Sequence, residues 1–389
     1  MKVIEVCQVM AGPFCGCLLA DMGADVIKVE NPDGGDTARD MGRYFDGGEG
    51  HGFMNLNRNK RSIVLNLKKE SGIKLLKELI KKVDVFIENL RPGTLDRMGL
   101  GYNDLKIINN SIIYASISGY GKTGPFSKKG GFDLVSQGLS SLMSFTGEQG
   151  GTPSKIPVPI CDLNAGIYTA FSVLSAYIHK QKTGLGQFID TSLTDSGLGY
   201  TFWAASQFFP TGEIPIPRGS AHEMTAPYQA IKCKDGYLVL GAANQKSWER
   251  LCEAIKREEF LTHPDYAENS SRTENYKQLA KDLELEFMKK NRDEWIKILD
   301  EAKVPCGPIL NMQETFSHPQ IQARNMCVEI EHPNAGHVKV LGFPPKLSLT
   351  PGVIRTPSPV LGEHTKEILL EYGKSKEAIS ELRKKEIIN

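Results

Sequence analysis

Five short apolar runs punctuate the first 118 residues: VIEV at 3–6, DVIKVE at 25–30, RSIVLNL at 61–67, DVFIEN at 84–89 and SIIYASIS at 111–118. They are apolar almost throughout rather than alternating. Strict alternation belongs to sheets with one wet face; near-continuous runs belong to parallel strands covered on both faces. Helical signals lie between them. PFCGCLLADMG at 13–23 is a short helix ending in Gly, so the first thirty residues read as a βαβ unit. ESGIKLLKELIKKV at 70–83 places Ile73, Leu76, Ile80 and Val83 at helical spacing. The N-terminal part is therefore an α/β domain with a parallel sheet.

FDLVSQGLSSLMSF at 132–145 reads as a helix. A longer one follows Asp162, with Leu163, Ile167, Phe171, Leu174 and Ile178 at spacings of three and four. Ala165, Gly166, Ala170 and Ala176 would let it pack closely. QFIDTSL at 187–193 returns as a strand. From about 194 the character changes. GEIPIPRGSAHEMTAP at 212–227 is a linker or active-site loop, and YQAIKCKDGYLVLGAA at 228–243 is a hairpin turning at Lys-Asp-Gly. VPCGPILNM at 304–312 is a further strand. The division expected is a large domain at 1–193, a linker at 194–220, a small α+β domain at 221–312, a second linker at 313–369 and a helical tail at 370–389.

Composition narrows the function. With 389 residues, 40% hydrophobic, and a formal net charge of +1, the chain lacks the basic excess of a nucleic-acid or membrane-surface binder. No signal-peptide h-region and no apolar run of about 18 residues is present, so a cytoplasmic protein is expected. The eight cysteines are scattered without a CxxC, and Cys15-Gly16-Cys17 has no partner group nearby. Reduced thiols and no metal are expected.

Gly119-Tyr120-Gly121-Lys122-Thr123-Gly124 matches GxGxxG after a strand, but Pro125 and a Ser-Lys-Lys-Gly-Gly stretch follow where a dinucleotide site needs a helix. The first turn, Met10-Ala11-Gly12-Pro13, lacks the glycine spacing for NAD yet opens a helix whose free N–H groups suit a phosphate-bearing ligand. Asp162 is a lone acid where an extended segment becomes a helix. It reads as an N-cap or as a nucleophilic or proton-transferring carboxylate. Arg97 and the Asn59-Lys60-Arg61-Ser62 turn are surface cations or phosphate ligands.

Nine stretches in one order are familiar. They are AGPFCGCLLADMGADVIKVE, NRNKRSIVLNLK, VDVFIENLRPGTLDRMGLGY, IIYASISGYGKTGP, GGFDLVSQGLSSLM, VPICDLNAGIYTAF, KTGLGQFIDTSL, VPCGPI and LGEHT. Together they resemble the class III coenzyme A transferases, the family of formyl-CoA and carnitine CoA-transferases. The resemblance implies a Rossmann-like large domain completed by the C-terminal tail, a small domain on long linkers, and two ring-shaped subunits interlocked as a homodimer. It implies acyl-CoA and a carboxylic acid as substrates, with no tightly bound cofactor. Asp162, in PICDL, matches the nucleophile. It would form a mixed anhydride and then an aspartyl-CoA thioester, and as an ordinary carboxylate it would already be ionised at pH 7. Gln8, Val9, Met10, Ala11, Leu65, Lys68, Asn89, Leu90, Arg97 and Met98 match CoA contacts. Glu30 is followed by Asn31 where several relatives carry a basic residue.

Two branches depart from this chain. The α-methylacyl-CoA racemases carry His-Asp where Phe132-Asp133 stands here, and Phe132 cannot move a proton. The formyl-CoA:oxalate branch carries a glycine run where this chain has Arg218-Gly219-Ser220-Ala221-His222-Glu223-Met224-Thr225. That stretch looks more like the dicarboxylate-using transferases that draw CoA from succinyl-CoA. Tyr120, Phe132, Asp133, Arg218 and His222 are candidate substrate contacts. A non-catalytic CoA-binding protein is the remaining alternative, against which Asp162 speaks.

Overall fold

The computed structural model describes residues 1–42 and 50–389. They form two compact units: Met1–Leu142, Lys155–Pro210 and Pro319–Asn389 make the first, Met143–Ser154 and Thr211–His318 the second.

In the first unit six strands build one sheet: β1 (Lys2–Val6), β2 (Asp25–Glu30), β3 (Lys60–Val64), β4 (Val85–Glu88), β5 (Ile113–Ser118) and β6 (Phe188–Ser192). Their order is β3-β2-β1-β4-β5-β6 and all pairings are parallel. Ile4 lies between Ile27 and Phe86. The strand order reverses between β1 and β4. Connections leave the two strands in opposite directions there and open a crevice at their carboxyl ends.

The helices that matter to that crevice are α1 (Ala11–Asp21), α2 (Glu70–Ile80), α3 (Asp133–Leu139), α4 (Ile160–Thr183) and α5 (Leu193–Leu198). α2 buries Leu75, Leu76, Leu79 and Ile80 in one cluster with Ile4, Ile27, Ile63 and Phe86 of the sheet. Each such side chain contributes about 1.5–3 kcal/mol. Ile368, Leu369, Ile379 and Ile387 from the C-terminal helices Thr365–Glu371 and Lys376–Lys384 join the same cluster.

α4 packs opposite to a simple amphipathic reading. Its small face, Ala165, Gly166, Ala170, Val173 and Ala176, is buried. A Cβ on Gly166 would stand 2.9 Å from Phe14 and 3.0 Å from the Ala11 carbonyl oxygen, so α1 and α4 cross at glycine distance. The large apolar stripe Ile167, Phe171, Leu174 and Ile178 is exposed on this chain.

In the second unit β7 (Tyr228–Cys233), β8 (Gly236–Gly241) and β9 (Cys306–Pro308) pair antiparallel. Trp248, Leu251, Leu283, Phe287 and Trp295 from the helices Gln245–Ile255, Tyr276–Phe287 and Arg292–Glu301 fill its core. The expected linker at 194–220 is helical through Leu193–Leu198 and Phe202–Thr211. That at 313–369 belongs to the first unit from Pro319 onward and holds a hairpin of β10 (Cys327–His332) and β11 (Gly336–Leu341). The alternation in CVEIEH and GHVKVL marks those strands. Among the described residues, no helix is long and apolar enough to cross a membrane.

Candidate active site

The crevice is built first by the turn after β1. Gln8 N–H donates to Asn89 Oδ1 at 2.8 Å, and Asn89 Nδ2 donates to the Gln8 carbonyl at 2.8 Å. The amide of Asn89 thus acts as one more strand neighbour and extends the β1–β4 pairing past its last residues. Val9 then takes φ 66°, in the left-handed region that β-branched residues avoid. That turn starts α1, whose N-cap residue Met10 supplies no side-chain bond. The first amides of α1 and the positive end of its dipole are left for an anion.

A cavity of about 710 Å³ lies over this turn, lined by Gln8, Val9, Met10, Ala11, Asn89, Leu90, Arg91, Arg97, Lys128, Gly131, Phe132 and Asp162 among others. Its size suits a small-molecule ligand. Arg91, Arg97 and Lys128 are solvent-exposed cations on its wall. Arg97 bonds only weakly within the chain, donating to Thr94 Oγ1 at 3.4 Å. A smaller cavity of about 180 Å³ shares Gln8 and Leu90 and adds Val29, Leu65, Lys68 and Met98. The Lys68 ammonium is 2.9 Å from Asp33, but both side chains are mostly exposed, so the pair holds it loosely.

Asp162 is the third residue of α4; Pro159 holds the N-cap position, so the N-cap expectation for Asp162 fails. The cap is supplied from α3 instead: Asp133 Oδ1 accepts the Cys161 N–H at 2.8 Å, and Gln137 Nε2 donates to Asp133 Oδ2 at 2.7 Å. Burial, followed by the charge of Asp133, pushes the Asp162 carboxyl up to about 7. This corrects the expectation of an ordinary, fully ionised acid at neutral pH. A partly desolvated carboxylate is a stronger nucleophile than a hydrated one, and its charge waits for a partner.

The structure therefore gathers Gln8, Val9, Met10, Ala11, Asn89, Leu90, Arg97, Phe132 and Asp162 around one cavity, and Leu65, Lys68 and Met98 around its neighbour. Asp133 stands behind Asp162. Tyr120 packs edge-on against Phe126 with ring centroids 5.3 Å apart and does not line either cavity. Arg218 and His222 lie in the second unit, Arg218 over the Tyr276 ring at 5.0 Å and His222 edge-on to Tyr228 at 5.4 Å. Sequence reasoning missed Arg91 and Lys128. Lys128 sits in the loop Gly119–Gly131, where backbone passes backbone: a Cβ on Gly119 would meet the Gly131 Cα at 2.6 Å. No helix follows that loop until Asp133, which accounts for the incomplete dinucleotide motif.

A parallel α/β sheet whose switch point gathers an open helix start, three cations and the acid Asp162 is the arrangement in which open α/β sheets bind small-molecule ligands. The sequence model of CoA-transferase family III matches residues 1–365. The human succinyl-CoA:glutarate CoA-transferase is 40% identical over 372 residues, 95% of this chain and 85% of that protein. The succinyl-CoA:mesaconate CoA-transferase of Haloarcula marismortui is 35% identical, covering 96% of each chain. Among solved structures, a CAIB/BAIF family protein from Brucella suis superposes with a TM-score of 0.85 at 36% identity, covering 96% of this chain and 98% of that one. The chain belongs to CoA-transferase family III. It is a CoA-transferase, and CoA thioesters are its substrates rather than resident cofactors.

Proposed function

We propose that this enzyme moves CoA from succinyl-CoA to a dicarboxylic acid through covalent intermediates on Asp162. The Asp162 carboxylate attacks the thioester carbon, the C–S bond breaks, and a mixed anhydride and CoA thiolate result. The thiolate attacks the aspartyl carbonyl, which releases succinate and leaves aspartyl-CoA. The acceptor carboxylate attacks that thioester, the thiolate returns to the new anhydride, and acceptor-CoA leaves with Asp162 restored. Each bond formed equals one broken, and no redox partner is needed.

One observation carries the reading: the Asp162 carboxylate lines the same cavity as the open N-terminus of α1 and three exposed cations. The cations and helix start suit the CoA diphosphate. The small neighbouring cavity, with Val29, Leu65, Leu90 and Met98, suits the adenine. Donor and acceptor follow from the relatives, whose names pair succinyl-CoA with glutarate and with mesaconate. Racemisation would need a second proton carrier, and Phe132 is not one.

We also propose a cytoplasmic homodimer whose subunits interlock. The exposed apolar stripe Ile167, Phe171, Leu174 and Ile178 along one helix supports burial of that face against a second subunit. All eight cysteines are free thiols, as a reducing compartment requires.

The test is an assay with succinyl-CoA and a panel of C2 to C6 mono- and dicarboxylates, reading new acyl-CoA by mass. Transfer to five- or six-carbon dicarboxylates above all others is expected. Transfer to oxalate or monocarboxylates alone would overturn the substrate assignment.

A further inference from the structure

Beneath the turn after β1 lies a cluster of charges that the chemistry above does not use. Glu5, Lys28, Asp36 and Lys60 are each at most 2% exposed. Lys28 Nζ stands 2.8 Å from Asp36 Oδ2 and 3.4 Å from Glu5 Oε1, and Lys60 Nζ stands 2.8 Å from Glu5 Oε1. The four formal charges cancel. Three of these side chains also reach main chain within residues 7–13. Lys28 donates to the Cys7 carbonyl at 3.0 Å, Lys60 donates to the Pro13 carbonyl at 2.7 Å, and Asp36 Oδ1 accepts the Val9 N–H at 3.0 Å.

Val9 is the strained member of that turn, at φ 66°. A β-branched residue stays in the left-handed region only where its surroundings hold it there. Stability is a poor reason for the cluster, because apolar groups of similar volume replace buried ion pairs at little or no loss. The convergence of three main-chain bonds on this turn and the first residues of α1 supplies a different reason. Asp36 is itself fixed by Lys28 and by the Ala38 N–H at 2.9 Å, so its oxygen is a rigid acceptor under Val9.

We propose that Asp36, held in place by Lys28, is a positioning residue for CoA transfer: its carboxylate pins the Val9 N–H and locks Gln8–Ala11 in the shape that receives the CoA thioester. The proposal rests on the reading of the crevice as the CoA site. Without the acceptor, Val9 relaxes to negative φ, the start of α1 turns, and the amides facing the coenzyme lose their aim.

Two double variants test this bond while keeping the buried charge balanced; because Asp36 also lines the smaller cavity, the Val9→Gly rescue separates the bond from direct contact with the coenzyme. Lys28→Met with Asp36→Asn keeps an oxygen acceptor under Val9; Lys28→Met with Asp36→Leu removes it. The asparagine pair is expected to keep kcat/KM for acyl-CoA within about threefold of wild type. The leucine pair loses about tenfold or more, the equivalent of one buried hydrogen bond, with KM for the acceptor acid unchanged. Adding Val9→Gly to the leucine pair restores most of the loss, because glycine holds positive φ unaided. If the leucine pair does not fold, Asp36→Ala in the same Lys28→Met background takes its place. Equal kcat/KM in the two folded double variants, or an equal fall in both, overturns the proposal. Amide exchange of residues 7–13 in the wild-type enzyme with and without CoA tests the CoA site by itself. Absence of protection there withdraws the site, whereas protection combined with equal double variants rejects only the role of Asp36.

Discussion

Asp133 secures the helix that carries Asp162 and at the same time makes ionisation of Asp162 harder. One of its oxygens accepts the Cys161 N–H at 2.8 Å, and its charge adds to burial in lifting the Asp162 carboxyl to about 7. An acid so held keeps its proton to higher pH than an ordinary carboxyl, and hydrogen-bond donors brought against it in the closed site favour the nucleophilic carboxylate.

The pH profile should report this. kcat/KM for acyl-CoA is expected to rise with pH through about 7, as the Asp162 carboxylate forms. Asp133→Asn removes a neighbouring negative charge while keeping an acceptor for Cys161, so it moves the midpoint to lower pH. A rate profile flat from pH 5 to 8 in both enzymes would contradict the coupling.

Stability should move the other way. In the unfolded chain Asp162 ionises near pH ~3.9, but the folded chain retains the proton until about 7. Between those values the unfolded state gives up a proton that the folded state keeps, so the group costs stability as pH rises. Asp162→Asn is therefore expected to abolish transfer yet stabilise the fold by roughly 2–4 kcal/mol above pH 7, with little difference near pH 4. Thermal melts of both proteins across pH 4–8 check the sign.

Arg97 is expected to act on binding. Its guanidinium has one weak internal bond and lines the large cavity. Arg97→Ala should raise KM for acyl-CoA roughly tenfold to a hundredfold, the loss of one charge-assisted bond, with a smaller effect on kcat. Titration of CoA at two salt concentrations should show a weaker salt dependence in the variant.

The crossing of α1 and α4 should be intolerant of a methyl group. Gly166→Ala places a Cβ within 3.0 Å of Ala11 O and 2.9 Å of Phe14. A cost of about 1–3 kcal/mol in unfolding free energy is expected, read by denaturant midpoint, together with a loss of activity as α1 is displaced.

How much of this was legible in the sequence follows from what each signal depends on. The first five sheet strands were legible because they are buried on both faces, so their apolar runs are nearly continuous, interrupted by charges such as Glu5 and Lys28; DVIKVE coincides with β2 residue for residue. α4 was legible as a helix but not in its orientation, because its large apolar residues face outward and small ones pack inward. The residue type of Asp162 and its helical neighbourhood were visible; its raised proton affinity was not, since that arises from burial and from Asp133, twenty-nine positions away in the chain. Lys128 and Arg91 were hidden for a similar reason. Only the close passage of Gly119 by Gly131 and the strand reversal bring their loops to one crevice.

The central claim is a covalent bond at Asp162. The purified enzyme would be mixed with succinyl-CoA, quenched with hydroxylamine or borohydride, and the mass of the peptide containing residues 156–180 measured. A hydroxamate or reduced side chain at Asp162, absent when CoA ester is omitted, is the predicted result. An unmodified Asp162 under conditions in which transfer to a dicarboxylate proceeds would contradict the account.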